Sequence, residues 1–398
     1  MKLSKRIRNI TPSATMELTA KVADLRARGV EIISYNVGEP DFPTPKNIAE
    51  AAKAAIDANK TKYTVVPGIL ELRQAISKKL REENGLEYSP AEISVGVGAK
   101  QPLINAVLAL CEEGDEVILP TPCWVSYEEM IKLAGGKPVL VPTREENGFA
   151  LDLPAIEAAI TPKTAAVLIN TPNNPTGAVY SEESLRALAS ICVKHEIAII
   201  SDEVYEKLIY GNGKHFSIAA SSPEAKHLTV TINGFSKAYA MTGWRVGYAA
   251  ADAAIIKGMN ALASHATSNI CSIAQYAALE GLTGPQDSVE AMRQEFDRRR
   301  VFLTDRLNGM DGISCAPAEG AFYLMPNVSS FYGKKTPDGK VITDSFALAD
   351  YLLEDAHIAV VPGAAFESPD NLRISYSNSL EALRQGMDQM EASLKKLV

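Results

Sequence analysis

Asn233-Gly234-Phe235-Ser236-Lys237-Ala238-Tyr239-Ala240-Met241-Thr242-Gly243-Trp244-Arg245-Val246-Gly247 follows directly on the apolar run Leu228–Ile232. A lysine on a turn just after a buried strand can lose its water, and a desolvated amine is a nucleophile toward an aldehyde. Arg245, eight residues further on, carries a planar fork that suits a phosphate. Taken alone, Lys237 reads as a solvated loop residue, because lysines are mostly exposed. Its neighbours along the chain decide otherwise.

Around this stretch, short apolar runs alternate with amphipathic ones. Val117–Leu119, Pro138–Val141, Ala165–Ile169, Ala198–Ile200, Leu228–Ile232 and Val246–Ala249 read as strands. Gln101–Cys111, Val125–Leu133, Glu182–His195 and Ala253–Ala263 read as helices. This alternation predicts an α/β fold with a mostly parallel sheet covered by helices on both faces. The pattern changes after about residue 285. A charged helix is predicted over Asp287–Leu307, then Gly320-Ala321-Phe322-Tyr323-Leu324, a Gly/Lys/Pro loop at Tyr332–Gly339, and helices over Ser345–Glu354 and Leu380–Leu397. The expected division is an N-terminal arm (1–47), a large domain (48–285) and a small C-terminal α+β domain (286–398).

Composition narrows the function classes. The chain has 398 residues, 46% of them hydrophobic, and a net charge of −8. That is enough for a large core, and the charge gives no reason to expect nucleic acid or an anionic membrane surface as partner. The basic start Met1–Arg8 runs into Thr11-Pro12-Ser13 without an apolar segment, so no secretory signal is expected. No apolar run is long enough to span a bilayer. The five cysteines are scattered and lack CxxC spacing, which suits a reducing, cytoplasmic setting without disulfides or a metal site. Cys123 reads as a small buried filler.

Four further motifs carry chemistry. Glu92–Pro102, with Gly96-Val97-Gly98-Ala99-Lys100, reads as strand, glycine turn and helix start. Backbone N–H groups at Gly98, Ala99 and Lys100 can face an anion at a helix N-terminus, joined by Arg245. A phosphorylated aldehyde held by a lysine describes pyridoxal 5′-phosphate. Asp202, in Ser201-Asp202-Glu203-Val204-Tyr205, falls at the carboxyl end of a parallel strand, where open α/β sheets bind ligands. A buried carboxylate there can keep a pyridine nitrogen protonated and make the ring an electron sink; a helix N-cap is the plainer reading. Asn170-Thr171-Pro172-Asn173-Asn174-Pro175-Thr176-Gly177 opens on the same sheet edge. Asn174 and Tyr205 can both donate to the phenolic oxygen of the cofactor, which stabilises its anion. Trp124, in Thr121-Pro122-Cys123-Trp124, can stack on the ring or fill a core.

Glycine turn, Pro-x-Trp, Asn-Pro-Thr-Gly, Asp-x-x-Tyr, Ser-Lys and Arg stand in an order that resembles the class I aminotransferases of pyridoxal-phosphate fold type I. Gly38-Glu39-Pro40-Asp41-Phe42 and Leu372-Arg373-Ile374-Ser375 extend the resemblance over essentially the whole chain. It is closest to the bacterial aspartate aminotransferases. The resemblance implies a seven-stranded, mostly parallel sheet in the large, cofactor-binding domain, with Asp24–Pro45 packed on the small one. It implies Lys237 as Schiff base and proton shuttle, and Asp202 and Tyr205 as its catalytic partners. Arg373, Gly38, Asn174 and Trp124 would receive the amino acid, with Arg373 on its α-carboxylate. Lys100, Ser13 and Thr15 would read a distal carboxylate of aspartate, glutamate or oxaloacetate, in a ping-pong exchange with 2-oxo acids. Tyr63 would reach the phosphate in the neighbouring subunit of a homodimer with shared active sites. The bonds before Pro122 and Pro175 would be cis. One position departs from the pattern. Many relatives carry a hydroxyl residue three places before the lysine, where Gly234 stands here, and Ser236 is the nearest substitute for that phosphate contact.

Rival readings are an aromatic, alanine or prephenate aminotransferase, or a C–S lyase on the same fold. A dinucleotide-dependent dehydrogenase needs a third glycine where Gln101 stands. A non-catalytic regulator has no added DNA-binding module to support it, and Lys237 and Asp202 are both present.

Overall fold

The computed structural model describes residues 2–12 and 14–398. The Ser13 expectation, and the one on the Thr15 side chain, therefore lie outside the described residues.

Seven strands form the main sheet: β1 (Ile93–Val97), β2 (Glu116–Thr121), β3 (Lys137–Pro142), β4 (Thr164–Asn170), β5 (Ala198–Asp202), β6 (Thr229–Gly234) and β7 (Val246–Ala250). Their order is β1-β7-β6-β5-β4-β2-β3. All neighbours are parallel except β7, which runs antiparallel to both β1 and β6. The connection over residues 235–245 explains this reversal, because a parallel return needs a crossover of a dozen residues or more. The sequence-predicted strand at Leu228–Ile232 shifts: Leu228 ends a short helix, Pro223–Leu228, and the strand begins at Thr229.

Alternate residues of the sheet face opposite layers. Leu168 and Ile200 pack with Leu103 and Val107 of the helix Lys100–Leu110. Val167, Ile169 and Ile199 pack with Leu185 and Leu188 of Glu182–Lys194. That second helix starts where Ser181 accepts from the Ser184 N–H at 3.1 Å. Each fully buried Leu or Ile contributes about 1.5–3 kcal/mol, so packing on both faces stabilises the sheet between its two helix layers.

A separate core gathers Phe296, Leu303 and Leu307 of the long helix Asp287–Asn308 with Phe322, Leu352, Ile374 and Leu383. A three-stranded sheet runs through it, with Leu372–Ser375 between Val361–Pro362 and Tyr323–Leu324. The N-terminal segment joins this part: Ile33–Ser34 pairs in parallel with Ile358–Ala359, and Tyr35 donates its hydroxyl to the Leu383 carbonyl at 2.8 Å. Among the described residues, no helix is long and apolar enough to cross a membrane.

Candidate active site

The register of the parallel strands builds the site. Asn170 stands opposite Asp202 and Asp202 opposite Ile232, so β4 and β5 finish level and β6 runs two residues further, to Gly234. Beyond them lies a pocket of about 420 Å³. Lys237, Asp202, Tyr205, Asn174, Trp124 and Arg373 line it, together with Gly38, Ala99, Lys100, Ser236 and Arg245. The structure thus brings together nearly every residue singled out in the sequence. Gly98 adjoins them in the turn, and Tyr63 stands apart with 92% of its surface exposed.

Gly98 and Gly247 permit the tightest approach. A Cβ on Gly247 would stand 2.2 Å from the Ala99 nitrogen, and one on Gly98, whose φ is +64°, would stand 2.3 Å from Arg245 Nη2. Only glycine lets the β1 turn lie against β7 with the Arg245 guanidinium folded over it. Arg245 is itself steadied by the Thr242 carbonyl at 2.9 Å. The helix beginning at Lys100 leaves its first N–H groups without intrahelical partners. At Gly234, an added Cβ would meet Gly247 Cα at 3.2 Å and the Val246 carbonyl at 3.3 Å. A hydroxyl residue there would need these neighbours to give by a few tenths of an ångström. The bonds before Pro122 and Pro175 are cis, as is that before Pro172.

Asp202 is buried at the end of β5. Tyr127 donates to its Oδ2 at 2.8 Å and the Val204 N–H to its Oδ1 at 3.3 Å. Burial pushes its pKa up to about 6, against the lowering pull of these bonds. Lys237 donates to the Gly38 carbonyl. Burial brings its pKa down to about 8; Arg373 and Arg245 add to this, while Glu39 and Asp202 oppose it.

Arg373 is 2% exposed. Its Nη1 donates to Asn174 Oδ1 at 3.1 Å and its Nη2 to the Asn36 carbonyl at 2.8 Å, while Nε has no partner. The guanidinium lies over the rings of Tyr323 at 4.5 Å and Phe366 at 4.9 Å. No carboxylate pairs with it among the described residues, and burial lowers its pKa. A buried guanidinium without an acid partner is an anion receptor. Lys100, nearer the mouth, lies 4.6 Å above the Trp124 ring and 3.4 Å from Ser126 Oγ. Burial, then Arg245, lowers its pKa.

Seven lining residues have no role assigned from the sequence: Met16, Leu103, Ser126, Tyr127, Asn170, Val204 and Tyr323. Tyr323 Oη lies 3.0 Å from Tyr205 Oη. Asn170 accepts from the Asn174 N–H at 2.7 Å and donates to the Asp202 carbonyl at 2.9 Å, tying two strand ends together. Tyr127 sits three places after Trp124, just beyond the Thr121–Trp124 motif, and the two rings meet edge to face at 5.4 Å.

The family model described as "Aminotransferase class I and II" matches residues 30–389. The chain belongs to that family, and its chemistry is the transfer of an amino group. It is 49% identical over 393 residues to the aspartate aminotransferase of Geobacillus stearothermophilus, covering 98% of each chain. Among solved structures it resembles the Rhizobium meliloti aspartate aminotransferase, with a TM-score of 0.97 and 42% identity over 100% of both chains. A Thermus thermophilus aspartate aminotransferase solved with maleate superposes with a TM-score of 0.93 at 43% identity, over 99% of this chain and 100% of that one.

Proposed function

We propose that this chain is a pyridoxal 5′-phosphate-dependent aspartate aminotransferase. It would pass the amino group between L-aspartate or glutamate and 2-oxoglutarate or oxaloacetate in a ping-pong cycle. The observation that carries the amino-acid reading is Arg373, a buried cation that no acid of the described chain neutralises.

The residues present fit the cofactor. Arg245, Ser236 and the helix start after Gly98 offer donors to a phosphate. Asp202 offers a buried acid to a ring nitrogen, Asn174 and Tyr205 offer donors to a phenolic oxygen, and Trp124 offers a flat face. When bound, pyridoxal phosphate supplies an aldehyde for amines and an electron sink that stabilises a carbanion at Cα. Lys237 then holds or moves the proton at Cα through Nζ, and its lowered pKa leaves more of the amine neutral near physiological pH. Arg373 fixes the α-carboxylate, with Asn174 and the Gly38 backbone beside it.

Lys100 is read as the partner of the distal carboxylate, with Ser13 and Thr15 assigned there by the family resemblance. The maleate with which the Thermus relative was solved is also a dicarboxylate. Tyr63 is read as the residue given to a neighbouring subunit's phosphate, which makes the working unit a homodimer; a cytoplasmic setting is read from the scattered, unpaired cysteines. On the same reading, residues 48–285 are the large domain and 286–398 the small one, joined by part of 1–47.

The test is the absorption spectrum of the loaded protein before and after L-aspartate, with no oxo acid present. Conversion of a visible band to a near-ultraviolet one supports the whole reading. A band that ignores aspartate but answers another amino acid overturns the specificity. No band after addition of pyridoxal phosphate overturns the cofactor.

A further inference from the structure

Asp202 and Glu203 are consecutive and both buried. Successive side chains at a strand end leave the backbone on opposite sides. Asp202 lines the pocket, whereas Glu203 enters a closed polar cluster behind it. Glu203 Oε1 accepts from Ser201 Oγ at 2.9 Å. Its Oε2 accepts from Ser217 Oγ at 2.6 Å and lies 2.8 Å from His215 Nε2. Glu206 Oε2 stands 3.9 Å from the same His215 nitrogen. Glu206 in turn pairs closely with Lys79 and accepts from Asn84 Nδ2 at 2.8 Å.

Charges in the cluster balance when His215 is protonated, its buried Nδ1 then having no hydrogen-bond partner. Two carboxylates then meet two cations. Burial opposes the imidazolium, but Glu203 and then Glu206 outweigh it and raise the His215 pKa above its ordinary value. The remaining titratable groups whose fields reach this cluster are Tyr88, Tyr239 and Tyr248, all kept neutral by burial, and Glu83 at the rim, which pairs with Lys207 at 2.9 Å and lies 3.6 Å from Lys79. Ligand atoms of Glu203, Glu206 and His215 fall within 4.8 Å of one another, a spacing a metal could use, but Lys79 and His215 already act as the counter-cations.

We propose that His215, by neutralising Glu203, is a positioning residue that keeps Asp202 anionic against the ring nitrogen of the bound cofactor. This rests on the pocket being a pyridoxal phosphate site. An uncompensated Glu203 charge, one peptide away in a low-dielectric interior, raises the proton affinity of Asp202. A protonated Asp202 cannot serve as counter-ion to a pyridinium.

The test compares H215Q, E203Q and E203Q/H215Q for pyridoxal phosphate dissociation constants between pH 6 and 9, with circular dichroism to verify folding. H215Q retains a hydrogen-bond donor but loses the charge. At pH 6 it should bind roughly fivefold more weakly, the consequence of raising Asp202 by about one pKa unit from about 6, with the loss shrinking below about twofold by pH 8. The double variant should return to within about threefold of the wild type, because it removes the offending charge together with its partner. Wild-type affinity and pH profile in a folded H215Q would overturn the proposal, and so would a double variant weaker than H215Q, which marks a purely structural network. Should H215Q fail to fold, E203Q decides. Wild-type affinity with a pH profile displaced to lower pH supports the proposal, and tenfold weaker binding overturns it. Failure of the wild type itself to bind pyridoxal phosphate would instead overturn the cofactor assignment.

Discussion

Tyr127 donates its hydroxyl to Asp202 Oδ2 at 2.8 Å, and this bond lowers the proton affinity that burial has raised. Tyr127→Phe removes the lowering influence, so the Asp202 pKa should climb from about 6 toward neutrality. Hydrogen bonds to charged groups contribute about 1.5–3 kcal/mol. Pyridoxal phosphate affinity should therefore drop about tenfold at pH 6 and much less at pH 8, read by fluorescence titration at both. Equal affinities of variant and wild type at pH 6 would remove Tyr127 from the site.

Arg373→Met separates function from stability. Truncating one side of a buried charge pair typically loses 2–5 kcal/mol of binding, so kcat/KM should fall roughly 10³-fold for every amino acid. The cofactor-free protein should melt no lower than the wild type, because an apolar side chain replaces a buried charge that has no acid partner. A large drop in Tm would mean that the guanidinium is chiefly structural.

Lys100→Ala should discriminate between substrates. Lys100 forms no ion pair among the described residues and hangs over Trp124 at the pocket mouth. Its loss should lower kcat/KM for aspartate by about 10- to 100-fold, or 1.4–2.7 kcal/mol, and leave alanine and phenylalanine nearly unchanged. An equal fall for all three assigns Lys100 to the phosphate or to packing.

Lys237 makes a prediction about the cofactor-free protein. Its folded pKa of about 8 lies below the ordinary lysine value, so between pH 8 and 10.5 the unfolded chain binds more protons. Stability from this group must rise with pH across that window, and below pH 8 the full penalty of the buried charge applies. Lys237→Ala should stabilise the cofactor-free protein at pH 7 by about 1–3 kcal/mol, with the advantage fading toward pH 10.5. Urea titrations at several pH values give the comparison; parallel stability curves for the two proteins would contradict the lowered pKa.

Tyr63, 92% exposed in the single chain, should become useful only between subunits. Dilution of the loaded protein should release cofactor and activity together, and Tyr63→Phe should weaken cofactor binding without altering the dimer. A monomer with full activity, seen by sedimentation, would refute the shared site.

The parallel strands were legible because their apolar runs end in polar motifs: Ala165–Ile169 before Asn170, Ala198–Ile200 before Ser201-Asp202. The reversal of β7 was not, since Val246–Ala250 is as apolar as its parallel neighbours and only the short connection gives its direction away. Helices Lys46–Asp57 and Ser272–Thr283 escaped notice, the second because small residues such as Ala274, Ala277 and Ala278 bury it without a contrasting apolar stripe. Chemical motifs survived this well, because Lys237, Asp202 and Asn174 each sit in a local stretch with its own logic. Tyr127 and Tyr323 did not, because their partners Asp202 and Tyr205 lie far along the chain and only the folded sheet introduces them.

Arg373 also touches three distant parts of the polypeptide, through the Asn36 carbonyl, the Asn174 amide and the Phe366 ring. A carboxylate arriving there does more than present itself for reaction, since it ties the N-terminal segment, a sheet edge and the C-terminal sheet to one ion. Ligand that binds only the native form stabilises it by mass action, about 2.7 kcal/mol at a hundredfold excess over Kd. On that reading, substrate concentration would also set how long each molecule withstands heat and proteases.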